Sequence, residues 1–144
     1  MVCLGNICRS PLAEGILKSK VDPSKVYVDS AGTGAYHVGN LPDPRSIEVA
    51  AKYGIDITDQ RARAFSKKDF DTFDVIYAMD ASNYNNILNL AQSDLQRAKV
   101  KLILNEIRPD RNEQVPDPYY GGDNGFEHVY QLLDESCELI AKQL

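Results

Sequence analysis

The sequence predicts a three-layer α/β fold built on a parallel sheet, and three observations predict it. Short β-branched runs alternate with longer segments of helical period, and strand-then-helix alternation implies parallel strands joined by right-handed crossovers. The segments 3–10, 30–43, 79–83 and 105–122 each follow a proposed strand, so they gather at the carboxyl edge of the sheet, where ligands bind in open α/β folds. The chain of 144 residues is long enough to bury roughly 68% of its unfolded surface in one core. No repeat, low-complexity tract or linker interrupts it, so residues 1–144 read as a single domain.

Each element has its own local reason. Val26-Tyr27-Val28, Val75 to Met79 and Val100 to Leu104 are short β-rich runs and read as strands. Pro11 to Lys20 reads as a helix, with Pro11 in its first turn and Leu12, Ile16 and Leu17 inward. Asp43-Pro44 supplies an N-cap and first position for a second helix, which Gly54 closes after Ile47, Val49, Ala50 and Tyr53. Ser66 to Asp69 starts a short helical turn. A helix over 82–95 would turn Ile87, Leu88 and Leu90 inward. The last helix has the plainest stripe: Val129, Leu132, Leu133, Ser136, Cys137, Ile140 and Leu144. The first strand is the anomaly. Only two residues precede the loop that begins at Cys3, against about 5–6 in a typical strand. The expectation is that residues upstream belong to it, or that the strand is short and the fold weakened.

Composition narrows the function classes. A hydrophobic share of 43% and a charged share of 26% are ordinary for a globular protein. A net charge of -5 argues against a broad nucleic-acid footprint, which needs a basic face. No apolar run approaches the roughly 18 residues of a membrane span, and no signal peptide is visible. Three cysteines cannot all pair, so a reducing, cytoplasmic setting is expected. Three cysteines and two histidines, dispersed along the chain, offer no clustered metal ligands.

The chemistry concentrates in Cys3-Leu4-Gly5-Asn6-Ile7-Cys8-Arg9-Ser10-Pro11. Gly5 permits a positive φ, and Asn6 tolerates the left-handed region better than most residues. Such a turn points successive backbone N–H groups inward as a nest for a tetrahedral anion. The following helix adds its N-terminal N–H groups and positive dipole end. Arg9 adds a planar fork for two phosphate oxygens. Helix termini and cations also favour the thiolate form of cysteine, which makes Cys3 a nucleophile placed under the anion. Expelling an alkoxide or phenoxide then needs a proton donor. Val115-Pro116-Asp117-Pro118-Tyr119-Tyr120 supplies a carboxylate stiffened by two prolines, although Asp-Pro reads equally as a turn. His37 and His128 have no motif that brings them to Cys3. Cys137, on the last apolar stripe, reads as core.

These segments resemble the low-molecular-weight protein tyrosine phosphatases, and the likeness runs over the whole chain. It includes the Cys3–Pro11 loop, Asp29-Ser30-Ala31-Gly32-Thr33, Asp43-Pro44-Arg45, Met79-Asp80 and Asp117-Pro118-Tyr119-Tyr120. The resemblance implies a four-stranded parallel sheet in the order 2-1-3-4, flanked by helices on both faces. It implies metal-independent hydrolysis of phosphotyrosine monoesters through a cysteinyl-phosphate, with no cofactor. Cys3 would be the nucleophile, Arg9 the phosphate ligand, and Asp117 first acid and then base. Leu4, Gly5, Asn6, Ile7, Cys8 and Ser10 would form the substrate cradle, with Ser30 as a supporting hydroxyl. Tyr36, Tyr119 and Tyr120 would wall the cleft. Cys8 would be the neighbouring thiol able to trap an oxidised Cys3. The expected partners are a phosphotyrosine-containing protein such as a tyrosine kinase, and phosphate or other oxyanions in the loop. No nucleic acid or membrane is expected, and the chain would act as a monomer or weak dimer.

The chain departs from the family in places. Gln60 stands where some relatives have a histidine before the Ala62-Arg63 pair. Ile7 replaces the Thr of related arginine phosphatases, and its branched methyl suits an aromatic ring better than a guanidinium. Two rival functions are weighed. A thiol-relay arsenate reductase needs further cysteines, and residues 9–136 contain none. A non-catalytic phosphate-binding module would lack the nucleophile or the acid, and both are present.

Overall fold

Side-chain alternation along four very short strands divides the core into two halves. The computed structural model describes residues 1–118 and 124–144. The strands are β1 (Val2–Cys3), β2 (Ala31–Gly32), β3 (Ile76–Ala78) and β4 (Val100–Leu102), and they form one parallel sheet in the order β2-β1-β3-β4. Val2 pairs with Ala31 and Ala78 on either side, so β1 is central although only two residues long. Successive residues of a strand face opposite sides. Val2, Ile76, Ala78, Val100 and Leu102 accordingly pack on one side with Phe70 and Ile87. Cys3, Tyr77 and Met79 face the other side.

The helices cover both faces. They are α1 (Arg9–Lys18), α2 (Pro44–Lys52), α3 (Asp69–Thr72), α4 (Ala81–Leu90), α5 (Asp94–Ala98) and α6 (Gly125–Lys142). On the Cys3 side α1 buries Leu12, Ile16 and Leu17 against Val129, Leu133, Cys137 and Ile140 of α6. Gly15 lets the segment after α2 lie close on α1, because a Cβ there would meet the Ile55 and Ile57 side chains. On the opposite side α3 contributes Phe70 and α4 contributes Ile87. Asp43 caps α2 as its sequence suggests, its side chain accepting the Arg45 N–H at 2.8 Å, and Gly54 follows that helix with φ +78.

The sheet order and the layers match the expected fold; several boundaries differ. Val26–Val28 is not a strand, and the ladder to β1 begins at Ala31, because β1 offers partners only at Val2 and Cys3. The third run stops at Leu102 and turns into a 3₁₀ segment over Ile103–Glu106. The helix expected over 82–95 is two helices. Ser93 caps the second by accepting the Gln96 N–H, so the break has its own local signal. Leu90 and Leu144, expected inward, are exposed. Tyr53 lies at the surface, stacked on Tyr130 at 4.0 Å between ring centroids.

Candidate active site

The turn from β1 into α1 folds around the Cys3 sulfur. Cys3 is buried at the end of the central strand. The chain then curls back so that the Asn6 backbone N–H donates to Cys3 Sγ at 3.3 Å. That reversal requires a left-handed residue, and Asn6 takes it with φ +56. Gly5 does not adopt a positive φ, which corrects the expectation for it. Its smallness serves space instead: a Cβ on Gly5 would stand 3.0 Å from Cδ2 of His37. His37, which no motif tied to this loop, therefore packs directly against it.

A buried polar network holds the sulfur and the turn. Ser10 Oγ lies 3.0 Å from Cys3 Sγ. The Asn6 amide donates to Ser10 Oγ at 2.8 Å and to Ser30 Oγ at 2.9 Å, while its oxygen accepts the Arg63 backbone N–H at 3.0 Å. Buried polar groups are costly unless hydrogen-bonded, so such a network specifies one loop geometry. Ser10 begins α1 beside Arg9, and Cys8 stands at its N-cap without a side-chain cap bond. The N–H groups of that first turn have no carbonyl before them in the helix and are suited to an anion.

Arg9 is 7% exposed and is gripped from two sides. Its Nη1 donates to Asp80 Oδ2 at 2.8 Å and to the Val115 carbonyl at 3.1 Å. Asp80 follows β3 and caps α4, its other oxygen accepting the Asn83 N–H at 2.8 Å. The Val115 N–H in turn donates to the Met79 carbonyl at 2.9 Å. The guanidinium thus stays inside, joined to the loop that carries Asp117 two residues on. Asp117 is half-buried between Val115 and Pro118, both buried. Pro118 is pressed onto the start of α6, where a Cβ on Gly125 would stand 2.7 Å from the Pro118 carbonyl oxygen.

The other expected positions distribute around this centre. Leu4 is exposed, and its carbonyl accepts the Gly34 N–H at 2.9 Å. Ile7 is half-buried against the core, and its carbonyl accepts the Asp43 N–H at 2.7 Å. Tyr36 is 77% exposed, with its ring filling the space beside Gly34. Cys8 is buried and outside any disulfide. Gln60 is buried and donates to the Pro11 carbonyl at 3.0 Å, bracing the first turn of α1. Tyr119 and Tyr120 lie outside the described residues. Among the described residues no group of His, Cys, Asp and Glu could hold a metal ion. Asp80 carried no role in the sequence reading, although Met79-Asp80 stood in the quoted motif. Glu14 and Arg63 were not singled out by any signal for a site.

Comparison with known proteins identifies the family. The family model described as low molecular weight phosphotyrosine protein phosphatase matches residues 1–144. A low molecular weight phosphotyrosine protein phosphatase of Schizosaccharomyces pombe is 49% identical over 145 residues, covering 96% of this chain and 92% of the relative. The crystal structure of a protein tyrosine phosphatase from Entamoeba histolytica, with Hepes in its active site, superposes with a TM-score of 0.90. It is 36% identical and covers 99% of this chain and 92% of that one. Vibrio vulnificus Wzb, in complex with benzylphosphonate, superposes with a TM-score of 0.87 at 31% identity, covering 99% and 95%.

Proposed function

This chain belongs to the low molecular weight phosphotyrosine protein phosphatases, and we propose that Cys3, Arg9 and Asp117 divide its chemistry among them. It hydrolyses phosphotyrosine monoesters through a cysteinyl-phosphate. In the first step the Cys3 thiolate attacks phosphorus from the floor of the loop. The S–P bond forms as the P–O bond to tyrosine breaks, and Asp117 delivers its proton to the departing phenoxide. In the second step the Asp117 carboxylate takes a proton from water, whose oxygen attacks phosphorus. The S–P bond breaks, inorganic phosphate leaves and the thiolate returns. Arg9 and the N–H groups of the loop hold the phosphoryl oxygens throughout and meet the charge of the transition state.

One observation carries this reading: the sulfur accepts the Asn6 N–H at 3.3 Å and lies 3.0 Å from the Ser10 hydroxyl oxygen. Arg9 supports it, since a guanidinium held by Asp80 and the Val115 carbonyl loses little freedom on taking an anion. The same carbonyl links the cradle to the acid loop, so both halves of the reaction share one scaffold. Leu4, Tyr36 and the half-buried Ile7 offer apolar surface for the tyrosine ring. The benzylphosphonate held by Vibrio vulnificus Wzb is a probe of that same shape.

The remaining parts of the reading are narrower. The protein is one domain over 1–144, acts in a reducing cytoplasm as a monomer or weak dimer, and takes a phosphotyrosine protein such as a tyrosine kinase as substrate. The odd number of cysteines, which cannot all pair, supports the reducing setting. The test is leaving-group dependence. Asp117→Asn loses about 10²–10⁴-fold in turnover of phenyl phosphate, and less for aryl phosphates whose phenols leave without a proton. It still binds vanadate. Equal loss on every leaving group, or loss of vanadate binding in step with turnover, would mean that Asp117 is structural.

A further inference from the structure

Glu14 is a buried carboxylate, 3% exposed, that the chemistry above does not use. It sits on α1 and accepts two hydrogen bonds, from Lys18 Nζ at 2.7 Å and from Ser30 Oγ at 2.6 Å. The hydrogens of the network beyond it can be counted. The Asn6 side chain faces the Arg63 backbone N–H, which only its oxygen can accept, so both amide hydrogens point at the Ser10 and Ser30 oxygens. Each hydroxyl has a single hydrogen to give. That of Ser30 goes to the carboxylate, and that of Ser10 is left for the Cys3 sulfur.

We propose that Glu14 is a positioning residue for phosphotyrosine hydrolysis: by taking the Ser30 hydrogen it locks the Asn6 amide and aims the Ser10 hydrogen at Cys3 Sγ. This rests on the reading of Cys3 as nucleophile. With Glu14 ionised, turning the amide over would sacrifice the Arg63 bond and return little, because Ser30 already has its acceptor. Without the carboxylate, the turned amide offers its oxygen to both hydroxyls. The Ser10 hydrogen follows it, and the sulfur loses a donor.

The charges around Glu14 sharpen the test. Lys18 faces it from the same helix, and the ion-paired Asp29 and Arg63 share its surroundings from the loops beside β1. A carboxylate acting only through its field would oppose a thiolate, so neutralising it would ease ionisation of Cys3. A carboxylate acting through hydrogen-bond direction predicts the opposite sign.

The measurement is the pH profile of Cys3 labelling by iodoacetamide in the folded enzyme, read on the Cys3 peptide by mass spectrometry. Glu14→Met moves the half-maximal pH of labelling up by about one unit, which is tenfold slower labelling well below it. Glu14→Gln, which keeps an acceptor for Ser30, restores most of that shift. Ser30→Ala removes no charge and also moves the profile upward, and in its background Glu14→Met adds nothing. A downward or absent shift in Glu14→Met overturns the proposal, as does an unchanged profile in Ser30→Ala, the variant that decides should Glu14→Met fail to fold. Turnover is not the readout. An enzyme whose Cys3→Ser variant still turns over would overturn the nucleophile reading and with it the part of Glu14 in hydrolysis, whereas a flat labelling profile with Cys3→Ser inactive would overturn the role of Glu14 alone.

Discussion

Cys3 and Cys137 are both buried, yet their surroundings make them different chemical groups. Cys137 lies on the inner stripe of α6, and its thiol donates to the Ala13 carbonyl at 3.7 Å. It is a hydrogen-bond donor in an apolar layer, and burial pushes its thiol up to about 12. Cys3 is an acceptor: the Asn6 N–H points at its sulfur, and the Ser10 hydroxyl lies against it. Burial alone disfavours the charged form of a thiol, whereas donors aimed at the sulfur favour it. Reactivity follows the direction of the neighbouring hydrogens rather than exposure.

The largest break in this contrast is Cys3→Ser. It lowers turnover of aryl phosphates by about 10⁴-fold or more, the scale on which loss of a nucleophile registers, while vanadate or phosphate binding survives. Stopped-flow kinetics with an aryl phosphate measure it. A variant that retains turnover would mean that the converging donors serve only to hold the loop.

A smaller effect is expected at Asp80. Asp80→Asn keeps an oxygen for the Asn83 N–H and so keeps the α4 cap, but it loses the charge facing Arg9. One charge-assisted bond is worth about 1.5–3 kcal/mol, so kcat/KM falls by roughly tenfold or more with little change in Tm. Steady-state kinetics beside a melting curve separate the two outcomes. An unchanged kcat/KM would show that the Val115 carbonyl suffices to aim the guanidinium.

The smallest effect belongs to Cys137, and it appears in stability. Its proton is held to about pH 12 in the native state, against an ordinary value of 9.0. Between those values the unfolded chain binds fewer protons than the native one, so stability falls as pH rises, by at most about 1.4 kcal/mol per unit. Cys137→Ala removes that slope and leaves turnover intact. Denaturant unfolding at pH 8 and pH 10 measures the difference between the two proteins. Burial and Glu106 raise Tyr77 in both proteins, and Cys137 is the smallest of its causes, so the difference in slope reports Cys137. Equal slopes in the two proteins would show that Cys137 ionises without unfolding.

The reach of the one-dimensional reading differs between these two sulfurs and their partners. Cys3, Asn6, Arg9 and Ser10 lie within eight residues of each other, so turn chemistry and a helix start place them together before any long-range contact is known. The α1, α2 and α6 segments were readable for a related reason: the Asp43 cap of α2 and the apolar spacing of all three are local. Val26–Val28 shows the limit. It has the residues of a strand, but a strand also needs a neighbour, and propensity does not say where pairing begins. Leu90 failed likewise, because Ser93 starts a new helix and α4 ends with that side chain outward.

Local order in the chain was therefore enough to specify the turn around the Cys3 sulfur and the helices behind it, since turns, caps and periodicity act over a few residues. Long-range packing alone chose the rest. Asp80 meets Arg9 across 71 residues, the Val115 carbonyl across 106, and Ser30 meets Glu14 across 16. Those pairings depend on which strand lies beside which, and nothing in a short stretch of sequence carries that information.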